Sequence, residues 1–192
     1  MATTHADAVR ELIERGVELV RNFEIFHVLA ETRIRNHPGY VNHQDLFEAT
    51  VNAHLQPIFI IAYLLYDKRR GVKSIPNMLR HFENTNPSDM ARIRGDIQAN
   101  AVTFNAIADI RGSIFAHRNE LLTPQEILRR AKLSKGFMSS TVRMAARHLS
   151  VLGGLARVGS RRDLRSEFSR RGRYAKEDTE LVIKALIKNA PL

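Results

Sequence analysis

The chain has 192 residues, 44% hydrophobic and 26% charged, with no cysteine; this suits one globular domain and excludes disulfide frameworks, thiolate metal sites and cysteine nucleophiles. Its longest apolar run, Pro57 to Tyr66, has ten residues, about half of what a bilayer-spanning helix needs, and Met1 to Glu11 is polar and mixed in charge, so a cytoplasmic chain with no membrane partner is expected. The net charge of +10 is confined to one end, because residues 1–122 carry 14 Lys/Arg against 14 Asp/Glu while 123–192 carry 16 against 6.

Helical periodicity dominates, and no stretch alternates as a strand would. The first segment, Thr4 to about Asn36, spaces Val9, Leu12, Ile13, Val17, Val20, Phe23, Phe26 and Ala30 by three and four, as one amphipathic helix requires. His37-Pro38-Gly39 ends it. A second helix, Gln44 to about Lys68, carries Phe47, Val51, Ile58, Ile61 and Leu65; its latter half is apolar nearly all round, which places it at the bundle centre, and Pro57 predicts a kink. Ser74 opens a short helix over Pro76 to Phe82.

Asn86-Pro87 reads as a capped helix start, leading into a third long helix to about Leu121. Thr123-Pro124-Gln125-Glu126 is a capping box. A further helix runs from about Phe137 to Leu152 and stops at Gly153-Gly154. Residues 156–173 have weak periodicity and are expected to be an exposed loop, followed by a last helix over about Lys176 to Lys188. The fold expected is an all-α bundle of four to six helices over 1–152, with 153–192 a basic loop and helix packed on the same domain.

On the third long helix, at about 100° per residue, Ala108, Arg111 and Phe115 all lie within about 40° of Phe104, so Arg111 interrupts an apolar stripe. A guanidinium there needs an acid or a cavity. Ile110, Ile114, His117 and Leu121 form a second, smaller stripe, suggesting that this helix faces both its own bundle and a second subunit. One reading pairs Arg111 with an acid such as Asp67 and makes His117 an interface residue. The other reading is chemical. No two histidines stand four apart, and His37, His43 and His54 read as loop or core residues, so no metal or other cofactor is expected.

The run Arg111-Gly112-Ser113-Ile114-Phe115-Ala116-His117-Arg118-Asn119 resembles the Arg, four to six residues, His motif of the HEPN superfamily of small helical bundles. Tyr63-Leu64-Leu65-Tyr66-Asp67 and Ser74-Ile75-Pro76 are similar to features of its AbiU-like abortive-infection branch. The resemblance spans roughly 15–150. It implies a HEPN-like homodimer acting as a metal-independent endoribonuclease in phage defence or a toxin–antitoxin system, with a cognate antitoxin as a further partner. His117 would be the general acid/base and Arg111 would stabilise the phosphate, while the RNA 2′-hydroxyl is the nucleophile. Directly after the Arg, where competent members carry Asn, Asp or His, this chain has Gly112.

The basic end supplies Arg143, Arg147, Arg157, Arg161, Arg162, Arg165, Arg170, Arg171 and Arg173, which with Arg118 are the candidate nucleic-acid contacts. Between 129 and 176, eleven Arg stand against three Lys, and the aromatics are only Phe137, Phe168 and Tyr174. That favours phosphate contacts over base stacking. RNA is the partner expected, and DNA stays open. Thr123 to Leu152 can also be drawn as a helix-turn-helix, turning at Leu133-Ser134-Lys135-Gly136, with Leu155 to Arg165 as a basic wing; that arrangement would suit a DNA-binding regulator. A helical scaffold or antitoxin-type module is the third class.

Overall fold

The computed structural model describes residues 4–31, 37–116, 129 and 135–188. Among these the protein is an all-α bundle with no strands: α1 His5–Leu29, α2 Pro38–Val41, α3 Gln44–Tyr66, α4 Ile75–Phe82, α5 Pro87–Ala99, α6 Ala101–Ala116, α7 Lys135–Leu155 and α8 Arg161–Lys188. The stop at Leu29 comes earlier than the apolar spacing predicts. The capping box at 123–126 lies outside the described residues.

Helix α1 is the axis. It begins on a capping box, in which the Thr4 hydroxyl accepts from Asp7 N–H and the Asp7 carboxylate accepts from Thr4 N–H. It packs against α3, α7 and α8, and Val9, Leu12 and Leu19 are fully buried on it. Two glycines set how closely α8 and α7 can approach. A Cβ on Gly16 would stand 2.3 Å from Leu149 Cδ1 and 3.1 Å from the Phe168 ring, and one on Gly172 would stand 2.8 Å from Val20 Cγ1.

The predicted starts hold where a side chain caps the helix. Ser74 Oγ accepts from Asn77 N–H at 3.4 Å to open α4, and Asn86 Oδ1 accepts from Asp89 N–H at 3.1 Å to open α5. Helix α3 continues through Pro57, which can donate no bond to the Ala53 carbonyl. By length and composition α3 could cross a membrane, with 23 residues and a mean hydropathy of 1.2 over its best window. In the fold it is a central helix, with Phe47, Val51, Leu55, Ile58, Phe59 and Leu65 buried.

Three expectations are corrected. The third long helix is two helices, broken at Asn100 (φ −106°, ψ 21°). There the Asn100 amide donates to the Asp96 carbonyl at 2.8 Å, a local bond that competes with helix continuation. The buried face of α6 is Thr103, Phe104, Ile107 and Ile110, centred near Ile107 instead of Phe104, so Arg111 lies toward one edge of it instead of its middle.

The second correction concerns Gly153-Gly154, which does not stop α7. The helix runs on to Leu155 and closes in a Schellman turn: Val158 N–H bonds Gly153 O at 2.9 Å and Arg157 N–H bonds Gly154 O at 3.3 Å. Arg157 takes the left-handed position, with φ 55°.

Third, the basic loop expected after it is helix from Arg161 onward, capped by Ser160, whose hydroxyl accepts from Asp163 N–H at 3.1 Å. Leu164, Phe168, Gly172, Ala175, Thr179 and Ile183, spaced by three and four, form its inward stripe. The same helix start removes the basic wing drawn over Leu155 to Arg165.

Because Gly16 lies under Leu149 and Phe168, Gly16→Val overpacks this crossing and is expected to destabilise by about 2–3 kcal/mol, lowering Tm by about 5–10 °C in a calorimetric melt. An unchanged melt would remove the crossing from its central place.

Candidate functional site

Arg111 stands on the last turns of α6, half-buried, and its guanidinium lies 4.8 Å from the centroid of the Tyr63 ring on α3. A guanidinium over an aromatic face is attracted by about 0.5–2 kcal/mol and held in orientation. Arg69 approaches the same ring at 5.9 Å. Asp67, buried at the end of α3, is partnered by Arg69 instead of Arg111: Arg69 Nη2 donates to Oδ2 at 2.6 Å, Nε to the same oxygen at 2.8 Å, and Arg69 N–H to Oδ1 at 2.9 Å. These bonds hold the Asp67 carboxyl below the usual carboxylate range. One tyrosine therefore gathers two guanidiniums, and the Asp67 carboxylate is engaged by Arg69.

Gly112 is exposed, and a Cβ there would meet nothing within 4 Å. Val102, Asn105, Asp109 and Gly112 share the exposed face of α6, with Val102 85% exposed. His117 and Arg118 lie outside the described residues.

The remaining arginines divide into two sets. Arg147 pairs with Asp96 at 2.8 Å, Arg161 with Asp89 at 2.5 Å, and Arg171 with Glu167 at 2.7 Å, where Arg170 also binds. Arg143, Arg157, Arg162, Arg165 and Arg173 are exposed with no acidic partner within 4 Å among the described residues. Arg162, Arg165 and Arg173 share an arc of about 100° on α8 with Ser166 and Ser169, a ridge about 16 Å long. Helix α8 packs chiefly on α1 and α7, and α6 chiefly on α3. The ridge and Arg111 thus belong to elements that are not packed on each other.

Sequence reasoning overlooked a second polar cluster. The Tyr66 hydroxyl is 3.1 Å from His148 Nδ1, His148 Nε2 is 3.0 Å from Asp96 Oδ2, and Asp96 also takes Arg147. Burial pushes the Tyr66 hydroxyl far up, so it stays protonated and donates. Burial also tends to raise Asp96, but the bonds from His148 and Arg147 together outweigh it and keep that carboxyl low. His148, 1% exposed, is pushed down chiefly by burial, against the pull of Asp96. A neutral ring protonated on Nε2 satisfies every member of the chain. The cluster bolts α3, α5 and α7 together. The signal for it in the sequence was a single histidine within the apolar stripe of α7, between Ala145 and Leu149.

No family model, no curated protein and no solved structure matches this chain.

His148 is depressed below its ordinary 6.5, so below that pH the unfolded chain binds the proton more readily and stability is lost on acidification. His54, also lowered by burial, acts in the same direction. Denaturant melts are expected to show stability flat above pH 7 and falling below about 6.5 by up to about 1.4 kcal/mol per pH unit for each such group. His148→Gln, which keeps a donor and an acceptor, should reduce that slope. A slope unaltered by the substitution would mean that His148 is not the group responsible.

Proposed function

We propose that the protein is a metal-independent endoribonuclease of a cytoplasmic defence system, of abortive-infection or toxin–antitoxin type, working as a homodimer. What supports this reading most is Arg111: a half-buried guanidinium, oriented over Tyr63 and on the element that leads directly into His117. Cleavage of RNA by its own 2′-hydroxyl asks little of the protein. A group must take a proton from that hydroxyl and return one to the leaving 5′-oxygen, and a fixed cation must meet the charge that develops on the phosphate. Histidine titrates in the right range for the first task. A preorganised guanidinium suits the second, because its orientation is fixed before the charge forms.

The second copy would lie against the exposed face of α6, where Val102 is open to solvent and Gly112 has room above it. The arginine ridge of α8 would add sequence-tolerant affinity for phosphates. That the three arginines of this ridge, with Arg143 and Arg157, have no acidic partner among the described residues also favours a second reading, in which the protein binds nucleic acid without cutting it.

The test is cleavage of a labelled single-stranded RNA in EDTA. Products ending in 2′,3′-cyclic phosphate are expected, with His117→Ala abolishing cleavage and Arg111→Ala slowing it about 10²- to 10³-fold. Cleavage that needs a divalent metal would contradict the mechanism. Binding without cleavage would establish the second reading.

A further inference from the structure

The acids and bases of the first 122 residues cancel in number, but not in place. Where α3 turns into α4, two open grooves of about 450 and 410 Å³ lie side by side. Arg80 and Asn77 form a wall common to both. The first groove is also lined by Arg70, Lys73 and His81, the second by Lys68 and Arg94, and neither has an acidic side chain in its wall. Lys73 reaches Glu11 at 2.5 Å and Arg94 reaches Glu83 at 2.5 Å. Lys68, Arg70 and Arg80 are exposed, with no acid within 4 Å among the described residues.

The corner is built, not floppy. Asn77 Nδ2 donates to the Arg69 carbonyl at 2.7 Å and to the Val72 carbonyl at 2.9 Å, closing the turn from inside. Gly71 takes the left-handed conformation that the turn needs, with φ 81°. Asp67 fixes the backbone and side chain of Arg69, and Lys73 ties the far end of the turn to α1. The entropy of ordering this loop is therefore met by folding, before any ligand arrives.

The corner is also continuous with the candidate site, through Arg69. That residue follows Lys68 and precedes Arg70, and its guanidinium shares the Tyr63 ring with Arg111. Arg69, paired with Asp67, thus stands between the corner and Arg111.

We infer that the α3–α4 corner is a phosphate-binding track for single-stranded RNA, in which Lys68, Arg70 and Arg80 contact successive phosphates and Arg69 leads the strand to Arg111. This rests on the reading of RNA as the substrate. Each groove has the volume of a nucleotide site, and two in a row exceed what one small anion would fill. The one ring described in their walls, His81, is already packed on the His5 ring at 3.9 Å, and Tyr63 is faced by guanidiniums, so recognition runs through the backbone and not through stacked bases. The grooves are recessed, and a flexible single strand can follow them where a stiff duplex bridges across.

The test uses the full chain and a fluorescent 2′-O-methyl 12-mer RNA, which can be bound but not cut. Its Kd is measured from 50 to 300 mM salt for the wild type and for the combined Lys68→Gln, Arg70→Gln, Arg80→Gln variant, with circular-dichroism melts confirming that both fold alike. For a single strand each phosphate contact contributes about 0.7 to the slope of log K against log salt. The variant is therefore expected to lose about 2 from that slope and on the order of 10- to 100-fold in affinity at 0.1 M salt. A variant with wild-type slope and affinity overturns the track, as does a wild type that binds no RNA at 50 mM salt. Cleavage assayed alongside separates the two ideas. If the wild type cuts nothing while the variant loses binding, the catalytic reading fails and the track stands. If the wild type cuts and the variant binds unchanged, the track fails alone.

Discussion

Everything in this fold hangs on the close crossing of α1 with α7 and α8. Helix α1 touches three others along its length, and Gly16 on α1 with Gly172 on α8 lets these helices approach more closely than side chains there would allow. With α8 seated there, its inward stripe closes one side of the core, and its outward face becomes a surface for arginines. With α3 seated on another side of α1, the turn after Tyr66 is thrown to the edge of the bundle. There it forms the corner that meets Arg69, Tyr63 and Arg111. The basic end of the sequence and the candidate site are thus both consequences of how α1 is packed, though they emerge on different helices.

Much of the architecture could be read directly. Apolar residues three and four apart marked α1, α3 and α7, and the caps Ser74 and Asn86 marked two helix starts to within a residue. What escaped did so for physical reasons. The inward stripe of α8 depends on Gly172, Ala175 and Thr179, side chains too small or too polar to register as a hydrophobic period, in a stretch where arginine dominates the composition. The break between α5 and α6 comes from one asparagine whose amide bonds its own helix at Asp96, and an asparagine in a helix carries no sign of that choice. At the site, a stripe drawn through Phe104, Ala108 and Phe115 puts Arg111 at its centre, whereas the buried Thr103, Ile107 and Ile110 shift the centre toward Ile107 and leave Arg111 near an edge, where it meets Tyr63.

The site itself was half legible. Arg111 was found because a cation on an apolar helix demands a partner; it meets the Tyr63 ring, while the Asp67 carboxylate goes to Arg69. Asp67 is bound by Arg69, two residues away, at a turn no periodicity describes. The buried chain of Tyr66, His148 and Asp96 joins three helices across long sequence separations, so only the fold could assemble it. Charge told a similar story. Counting residues assigned all the excess to the last third of the chain; pairing them shows that part of this excess is spent on Asp89, Asp96 and Glu167, while Lys68, Arg70 and Arg80 remain uncompensated in a region whose sum is zero.

The central claim is that RNA lies along the α3–α4 corner and passes to Arg111. Ultraviolet cross-linking of a 4-thiouridine-labelled 2′-O-methyl RNA to the intact protein, mapped by mass spectrometry, tests it most directly. Cross-links are expected on peptides covering Tyr63 to Arg80 and on the peptide that follows Arg111. Cross-links confined to 143–173, or none above those of an uncharged control chain, would contradict it.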